Sequence, residues 1–114
     1  MAVKHKSTIE IEVGLDENKV PEKLRWTAPD GGVDKEEAKS VMLSVWDGLA
    51  QETLRIDLWT KDMPVDQMKV FIHQQLTGLA DSYYRATQDE KMYHTMQDFN
   101  EYYAEKLELK GKEK

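Results

Sequence analysis

Apolar and polar residues alternate along the first half of the chain and recur at helical spacing along the second half. An alternation with a period of two places the apolar side chains on one face of a strand, whereas spacings of three and four place them on one face of a helix. The pattern therefore predicts strands up to about residue 60 and helices after it. The two patterns meet in the segment from Leu54 to Val65, which alternates like a half-buried strand and becomes helical after Pro64.

Three segments of the first half alternate as strands do. The first runs from Ile9 to Leu15 and ends at a polar turn over residues 16–19. The second covers residues 23–28 and is expected to pair with the first in antiparallel fashion, because no helical crossover separates them. The third runs from Thr53 to Thr60. Its inward positions are Leu54, Ile56 and Leu58, and its outward positions are Arg55, Asp57 and Trp59.

Residues 29–49 are harder to interpret. Pro29 to Gly32 form a strong break, and the acidic run from Asp34 to Glu37 is suited to a short helical turn. Residues 38–49 fit both a helix with Met42, Val45 and Trp46 on its apolar face and a strand with Val41, Leu43 and Val45 on one side. We favour the strand, because a helix would leave Leu43 on its polar side and because the strand at 53–60 needs an antiparallel partner.

Two amphipathic helices are predicted in the second half. The first has about 22 residues, with Pro64 at its first position and Asp66 in its first turn, where the helix dipole favours a carboxylate. Thr87 to Glu90 has the form of a capping box and is predicted to start the second helix, which ends before Lys110. The apolar stripes consist of Met68, Phe71, Ile72, Leu76, Leu79 and Tyr83 on the first helix, and Met92, Met96, Phe99, Tyr103 and Leu107 on the second.

Together these elements predict an α+β fold. A four-stranded antiparallel sheet in the N-terminal half is followed by two C-terminal helices packed on one sheet face. Residues 1–114 are expected to form a single domain, with residues 1–7 and 110–114 as flexible tails.

Charge and composition narrow the classes of function. The chain has 16 Lys and Arg against 22 Asp and Glu, a net charge of -6, which repels a phosphate backbone and argues against a nucleic-acid partner. It contains no cysteine, which excludes disulfides and thiolate metal sites. No segment has the roughly 20 apolar residues of a membrane span, and the N-terminus lacks the apolar run of a signal peptide. A cytoplasmic location is therefore expected.

No catalytic or cofactor-binding motif stands out. His73 and His94 lie one on each predicted helix, off the apolar stripes and at a spacing that matches no set of metal ligands, and His5 lies in the predicted tail. All three are expected to be solvated surface residues. Gly31 and Gly32 match no phosphate-binding motif. We therefore predict no catalytic residue, no metal ligand and no cofactor, and we do not expect an enzyme.

The tryptophans indicate a binding surface instead. If the apolar side of the sheet faces the helices, strand alternation turns Trp59, and with it Trp46 and Met42, to the opposite side. Two tryptophans on an uncovered sheet face form an exposed apolar patch, which is typical of a contact with a protein partner or with a second copy. Met42, Trp46 and Trp59 are therefore the candidate interface. The alternative is that a loop, such as residues 29–37, covers them.

Segments of particular sequence are spread from about Ile9 to Leu109. They are Val13–Glu22, Trp26, Asp30–Gly32, Ser44–Asp47, Thr53–Val65, Arg85–Thr87 and Tyr103–Leu109. In these segments the chain resembles the GldC family of gliding motility proteins of the Bacteroidetes. The resemblance implies a small accessory protein of the machinery by which these bacteria glide over surfaces and secrete adhesins, and it implies no catalytic residue.

Two functions from different classes follow. The first is a non-enzymatic interaction protein that binds another component of the gliding machinery, or its own copy, through the tryptophan-bearing face. The second is a chaperone or export-associated holdase similar to SecB, by analogy with a four-stranded sheet followed by two helices. An enzyme or small-ligand binder would instead need a concave pocket with converging polar groups.

Overall fold

The computed structural model describes residues 2–108. They form an α+β fold in which antiparallel strands precede two C-terminal helices, as predicted. The elements are β1 (Glu10–Leu15), β2 (Pro21–Ala28), β3 (Val33–Ala38), β4 (Ser40–Asp47), β5 (Glu52–Trp59), α1 (Val65–Thr87) and α2 (Glu90–Lys106). The chain divides into two compact units, one up to Met63 and one from Pro64 onward.

Three of the sequence predictions are not tested by these elements. The single domain over residues 1–114 and the packing of the helices on a sheet face stay predictions. The predicted tail at 110–114 lies outside the described residues.

The N-terminal unit contains two antiparallel sheets, so the prediction of one four-stranded sheet was wrong. The first sheet has the order β1-β2-β3, and the second consists of β4 and β5. β3 and β4 are separated only by Lys39. One nearly continuous run of extended chain therefore serves both sheets, pairing with β2 through its first half and with β5 through its second.

β3 replaces the helical turn predicted at Asp34 to Glu37. Its charged sequence was not recognised as a strand, but β3 lies at the edge of its sheet, where charged side chains reach water and discourage further pairing. The chain reaches it through a 3-10 turn at Pro29–Gly31 that ends at Gly32 with φ 74°. A short glycine-containing loop between two extended segments is a hairpin signal, and it was available in the sequence.

The remaining strand predictions are confirmed. β1 and β2 pair in antiparallel fashion, with Val13 opposite Leu24. Within residues 38–49, the favoured strand is confirmed as β4 and the alternative helix is not formed. Leu24 is only 1% exposed and lies between Val13 on one neighbouring strand and Ala38 on the other. It is the largest fully buried side chain among the described residues.

In the C-terminal unit, α1 begins one residue later than predicted. Pro64 is its N-cap, and Asp66 lies in its first turn as expected. The predicted capping box was wrong, because α1 continues through Thr87 and ends at Gln88 in the left-handed conformation. Asp89 caps α2 instead, since its carboxylate accepts the N–H of Met92 at 3.1 Å.

The two helices contact each other through small and aromatic side chains. Ala80 and Ala104 are each 1% exposed, and Asn100 is 8% exposed. The rings of Tyr84 and Tyr93 stack with centroids 4.9 Å apart. Within residues 2–108, neither helix is long and apolar enough to cross a membrane.

Candidate interaction surface

The β4–β5 hairpin separates residues of different character onto two faces. Residues directly opposite each other in an antiparallel pair lie on the same face, so the register assigns every side chain. The aliphatic face consists of Val41, Leu43, Val45, Leu54, Ile56 and Leu58, with the acidic pair Asp47 and Glu52 at its loop end. The opposite face, here called the tryptophan face, consists of Ser40, Met42, Ser44, Trp46, Thr53, Arg55, Asp57 and Trp59. The predicted alternation along both strands is therefore confirmed.

The aliphatic face is largely open to solvent. Leu54 is 59% exposed and Ile56 54% exposed, although both were predicted to point into the core. A two-stranded sheet is only marginally stable by itself in water, and covering an aliphatic face with another apolar surface lowers the free energy. The hairpin therefore has the composition of a surface that is stabilised by contact with another apolar surface.

The three candidate interface residues share the tryptophan face but do not lie together. Trp46 lies opposite Thr53 near the hairpin loop, whereas Trp59 lies opposite Ser40 at the other end. The distance along β4 from Ser40 to Trp46 is about 20 Å at 3.4 Å per residue. Within one hairpin the two tryptophans therefore form two separate apolar spots rather than one patch.

Both tryptophans are accessible, and a charged pair separates them. Trp46 is 62% exposed and Trp59 50% exposed, whereas Met42 is half-buried. Arg55 and Asp57 lie between the tryptophans on the same face, with Nη2 and Oδ2 3.0 Å apart. Residues 33–37, which were considered as a cover for the tryptophans, belong to β3.

The segment after β5 forms a polar corner. Thr60 is only 3% exposed, and its N–H donates to the carbonyl of Lys39 at 2.9 Å. Its hydroxyl donates to Oδ1 of Asp62 at 2.7 Å, and the ammonium of Lys39 donates to Oδ2 of Asp62 at 2.8 Å. The hydrogen bond from Lys39 makes the larger contribution to lowering the pKa of Asp62, and the hydrogen bond from Thr60 lowers it further. Thr60 and Asp62 thus hold the chain at the point where β3 passes into β4.

Lys61 connects this corner to the turn between β1 and β2. Its N–H donates to the carbonyl of Pro21 at 3.1 Å, and its ammonium lies 2.9 Å from Oδ2 of Asp16 and 3.6 Å from Oε1 of Glu22. The hydrogen bond from the N–H of Val20, followed by that from Lys61, lowers the pKa of Asp16, and Asp16 in turn raises the pKa of Lys61.

A groove of about 340 Å³ opens at this corner. Among its lining groups, Lys39 and Asp62 are bonded to each other, and Thr60 bonds both to Asp62 and to the main chain of Lys39. Polar groups that are engaged in this way position the backbone. The Thr-Lys-Asp sequence at residues 60–62 therefore has a structural explanation in the way it joins the strands and the β1–β2 turn.

The histidines lie in different surroundings. His73, predicted to be a solvated surface residue, is half-buried between the helices: its Nε2 lies 3.1 Å from the carbonyl oxygen of Asn100, and its ring stacks on Tyr103. That prediction was wrong because the seam between the helices does not follow the apolar stripe of α1. His94 and His5 are exposed, as predicted. Over residues 2–108, no three His, Asp or Glu side chains come together as a metal would require.

A family model described as "Gliding motility-associated protein GldC-like" matches residues 21–109. No curated protein and no solved structure matches the chain. The matched region includes the β4–β5 hairpin, the polar corner at Thr60 to Asp62 and both helices, and it covers well over half of the chain. The chain therefore belongs to the GldC-like family of gliding motility-associated proteins.

Proposed function

We propose that the protein is a cytoplasmic accessory protein of the gliding machinery that acts by binding another protein, without catalysis, metal or cofactor. Family membership supports the process. The observation that carries the binding role is the exposure of Trp46 and Trp59 on one face of the β4–β5 hairpin. Tryptophan is enriched at the energetic centre of protein interfaces, because it buries a large apolar area with few rotatable bonds.

The size of the expected effect follows from the behaviour of interface tryptophans. Truncating one commonly costs about 2 kcal/mol or more of binding free energy, which is roughly a 30-fold increase in Kd. Because both side chains are at least half exposed in the chain itself, their removal should cost the folded state much less. Loss of binding without loss of folding is therefore the result that the proposal expects.

The test is the double variant Trp46→Ser and Trp59→Ser, compared with the parent chain in affinity capture from a gliding bacterium. We expect the double variant to keep the circular dichroism spectrum of the parent chain and to lose the captured protein. The matched control is Tyr102→Ser, which removes an aromatic side chain on α2 that is 57% exposed. The proposal fails if the double variant captures as well as the control, or if cell fractionation finds the protein outside the cytoplasm.

A holdase similar to SecB is a second candidate, favoured by the open aliphatic face of the hairpin and by the order of strands followed by two helices. An exposed aliphatic surface binds unfolded chains through the hydrophobic effect, without a specific sequence. A holdase should form a tetramer and suppress the aggregation of a denatured model protein at near-stoichiometric amounts. A monomer without such activity would eliminate this candidate.

A further inference from the structure

The outer edge of β5 has no partner strand within residues 2–108, because β5 pairs with β4 alone. The hydrogen bond from the Thr60 N–H to the Lys39 carbonyl marks the neighbouring pair Ser40–Trp59 as one that exchanges no hydrogen bonds. Main-chain groups alternate in direction along a strand, so every second residue of β5 directs its N–H and C=O away from β4. These residues are Thr53, Arg55, Asp57 and Trp59.

The C-terminal end of this edge is closed. Beyond Trp59, the N–H of Lys61 is bonded to the carbonyl of Pro21. The open edge therefore extends along β5 and ends at Trp59. An open edge of this kind is a template for one further strand.

The sequence of this edge is complementary to itself. If a second copy pairs with it in antiparallel fashion about a two-fold axis through Ile56, Arg55 of each copy lies opposite Asp57 of the other. An axis through Arg55 would oppose two arginines, and an axis through Asp57 would oppose two aspartates, and like charges directly opposite each other are unfavourable. Among the registers centred on residues 55, 56 and 57, charge therefore selects the one centred on Ile56.

The edge of β4 does not offer this selection. From Ser40 to Trp46 it carries no charged residue, so no register of a symmetric β4 pair is favoured by charge. We therefore propose that a second copy of this chain docks on the open edge of β5 about an axis through Ile56, which joins two β4–β5 hairpins into one four-stranded antiparallel sheet.

The pairing uses groups that the single chain leaves open. The four outward-facing residues of each copy exchange about eight main-chain hydrogen bonds with the other. Three or more strands are needed for an independently stable sheet, and the two-stranded hairpin falls short of this number. The pairing also joins two aliphatic faces into one, with Ile56 of one copy beside Ile56 of the other at its centre.

The second copy also completes the tryptophan surface. The same register places Trp59 of the second copy opposite Thr53, which is itself opposite Trp46. Trp46 and Trp59 of different copies are then two strand spacings apart, about 10 Å, instead of the about 20 Å within one hairpin. Each end of the four-stranded sheet thus carries an apolar patch built from both chains. This consequence rests on the proposed function, whereas the dimer itself does not.

Cross-linking tests the position of the axis. The chain contains no cysteine, so a single introduced thiol has no competitor. Across the two-fold axis, the α-carbons at position 56 would be about 4.5 Å apart, within the range that a disulfide spans. We expect Ile56→Cys to form a covalent dimer under mild oxidation.

Leu54→Cys is the matched control for this cross-link. It lies on the same aliphatic face of the same strand, but in this register its counterpart is Leu58 of the other copy. We expect Leu54→Cys alone to stay uncross-linked, and a mixture of Leu54→Cys and Leu58→Cys to form the covalent dimer. Equal cross-linking of Leu54→Cys and Ile56→Cys would show a different register and overturn the proposal.

Charge exchange gives a test that does not depend on thiols. Arg55→Asp and Asp57→Arg each place like charges opposite each other twice per dimer, so each variant alone should be monomeric in size-exclusion light scattering. Their mixture should form a heterodimer, because the two chains then oppose opposite charges. An ion pair between positions 55 and 57 of the same chain cannot explain this result, since each variant carries two like charges at these positions.

The outcomes separate the dimer from the proposed function. A monomeric parent chain at micromolar concentration, or a mixture of the charge variants that stays monomeric, overturns the dimer. If Ile56→Cys does not fold, the parent chain and the charge-variant mixture decide the question. If Arg55→Asp is monomeric, as expected, but still captures the partner, the tryptophan patch built from both chains is refuted while the dimer stands. A dimer that captures nothing would refute the proposed function alone.

Discussion

Truncation of Leu24 measures how much the first sheet depends on its only large, fully buried side chain. Leu24 is 1% exposed and lies between Val13 and Ala38. Leu24→Ala removes three buried carbons, worth about 2.4 kcal/mol at roughly 0.8 kcal/mol each. The cavity that remains raises the expected loss in unfolding free energy to about 3 kcal/mol or more.

Tryptophan fluorescence during urea unfolding provides a selective assay. The three tryptophans of the chain are Trp26, Trp46 and Trp59, all in the unit that ends at Met63, whereas all five tyrosines follow it. With a slope of about 1.5 kcal/mol per M, a loss of about 3 kcal/mol lowers the urea midpoint by about 2 M.

The control is Leu49→Ala, the same substitution at a side chain that is 97% exposed in the hairpin loop. It should change the unfolding free energy by about 0.5 kcal/mol or less. If Leu24→Ala and Leu49→Ala had midpoints within experimental error of each other, the first sheet would not depend on this core position, and the reasoning from burial would be refuted.

Two further predictions concern pH and backbone conformation. The lowered pKa of Asp16 means that the unfolded chain, with a carboxyl pKa near 3.8, takes up a proton before the folded chain does. The contribution of Asp16 to stability is therefore present at neutral pH and is lost as the pH falls from about 5 through the folded-state pKa. Between pH 7 and pH 3, the unfolding free energy of Asp16→Asn should fall less than that of the parent chain. The same pH profile for both chains would contradict this. Gly32→Ala should destabilise by about 1 kcal/mol, because Gly32 has φ 74°. Gly78→Ala, in the interior of α1 with open space around the added methyl group, should stabilise by about 0.5 to 1 kcal/mol. If both alanine variants changed the thermal stability in the same direction, these two predictions would be contradicted.

Periodicity in the sequence was sufficient for most of the elements. The alternation along β1, β2 and β5 and the helical spacing after Pro64 predict structures close to those observed, because each pattern reflects which side chains a strand or helix places on one face. The same alternation assigned Trp46 and Trp59 to one face of the hairpin, and the register confirms that assignment.

Local errors occurred where the signal was weak. β3 was missed because its run of charged residues lacks the apolar alternation of a half-buried strand, and its place at a sheet edge removes the need for that alternation. The start of α2 was misplaced by the resemblance of Thr87 to a cap, although Asp89, two residues later, makes the capping hydrogen bond.

The sequence alone determined the types of most elements, the faces of the hairpin and the family to which the chain is similar. Only the tertiary structure decided that the strands divide into two sheets, that His73 enters the seam between the helices, and that the two exposed tryptophans lie at opposite ends of one face. The physical reason is that periodicity records the two sides of an element, whereas strand partners, register and position along a face depend on contacts between residues that are distant in the chain.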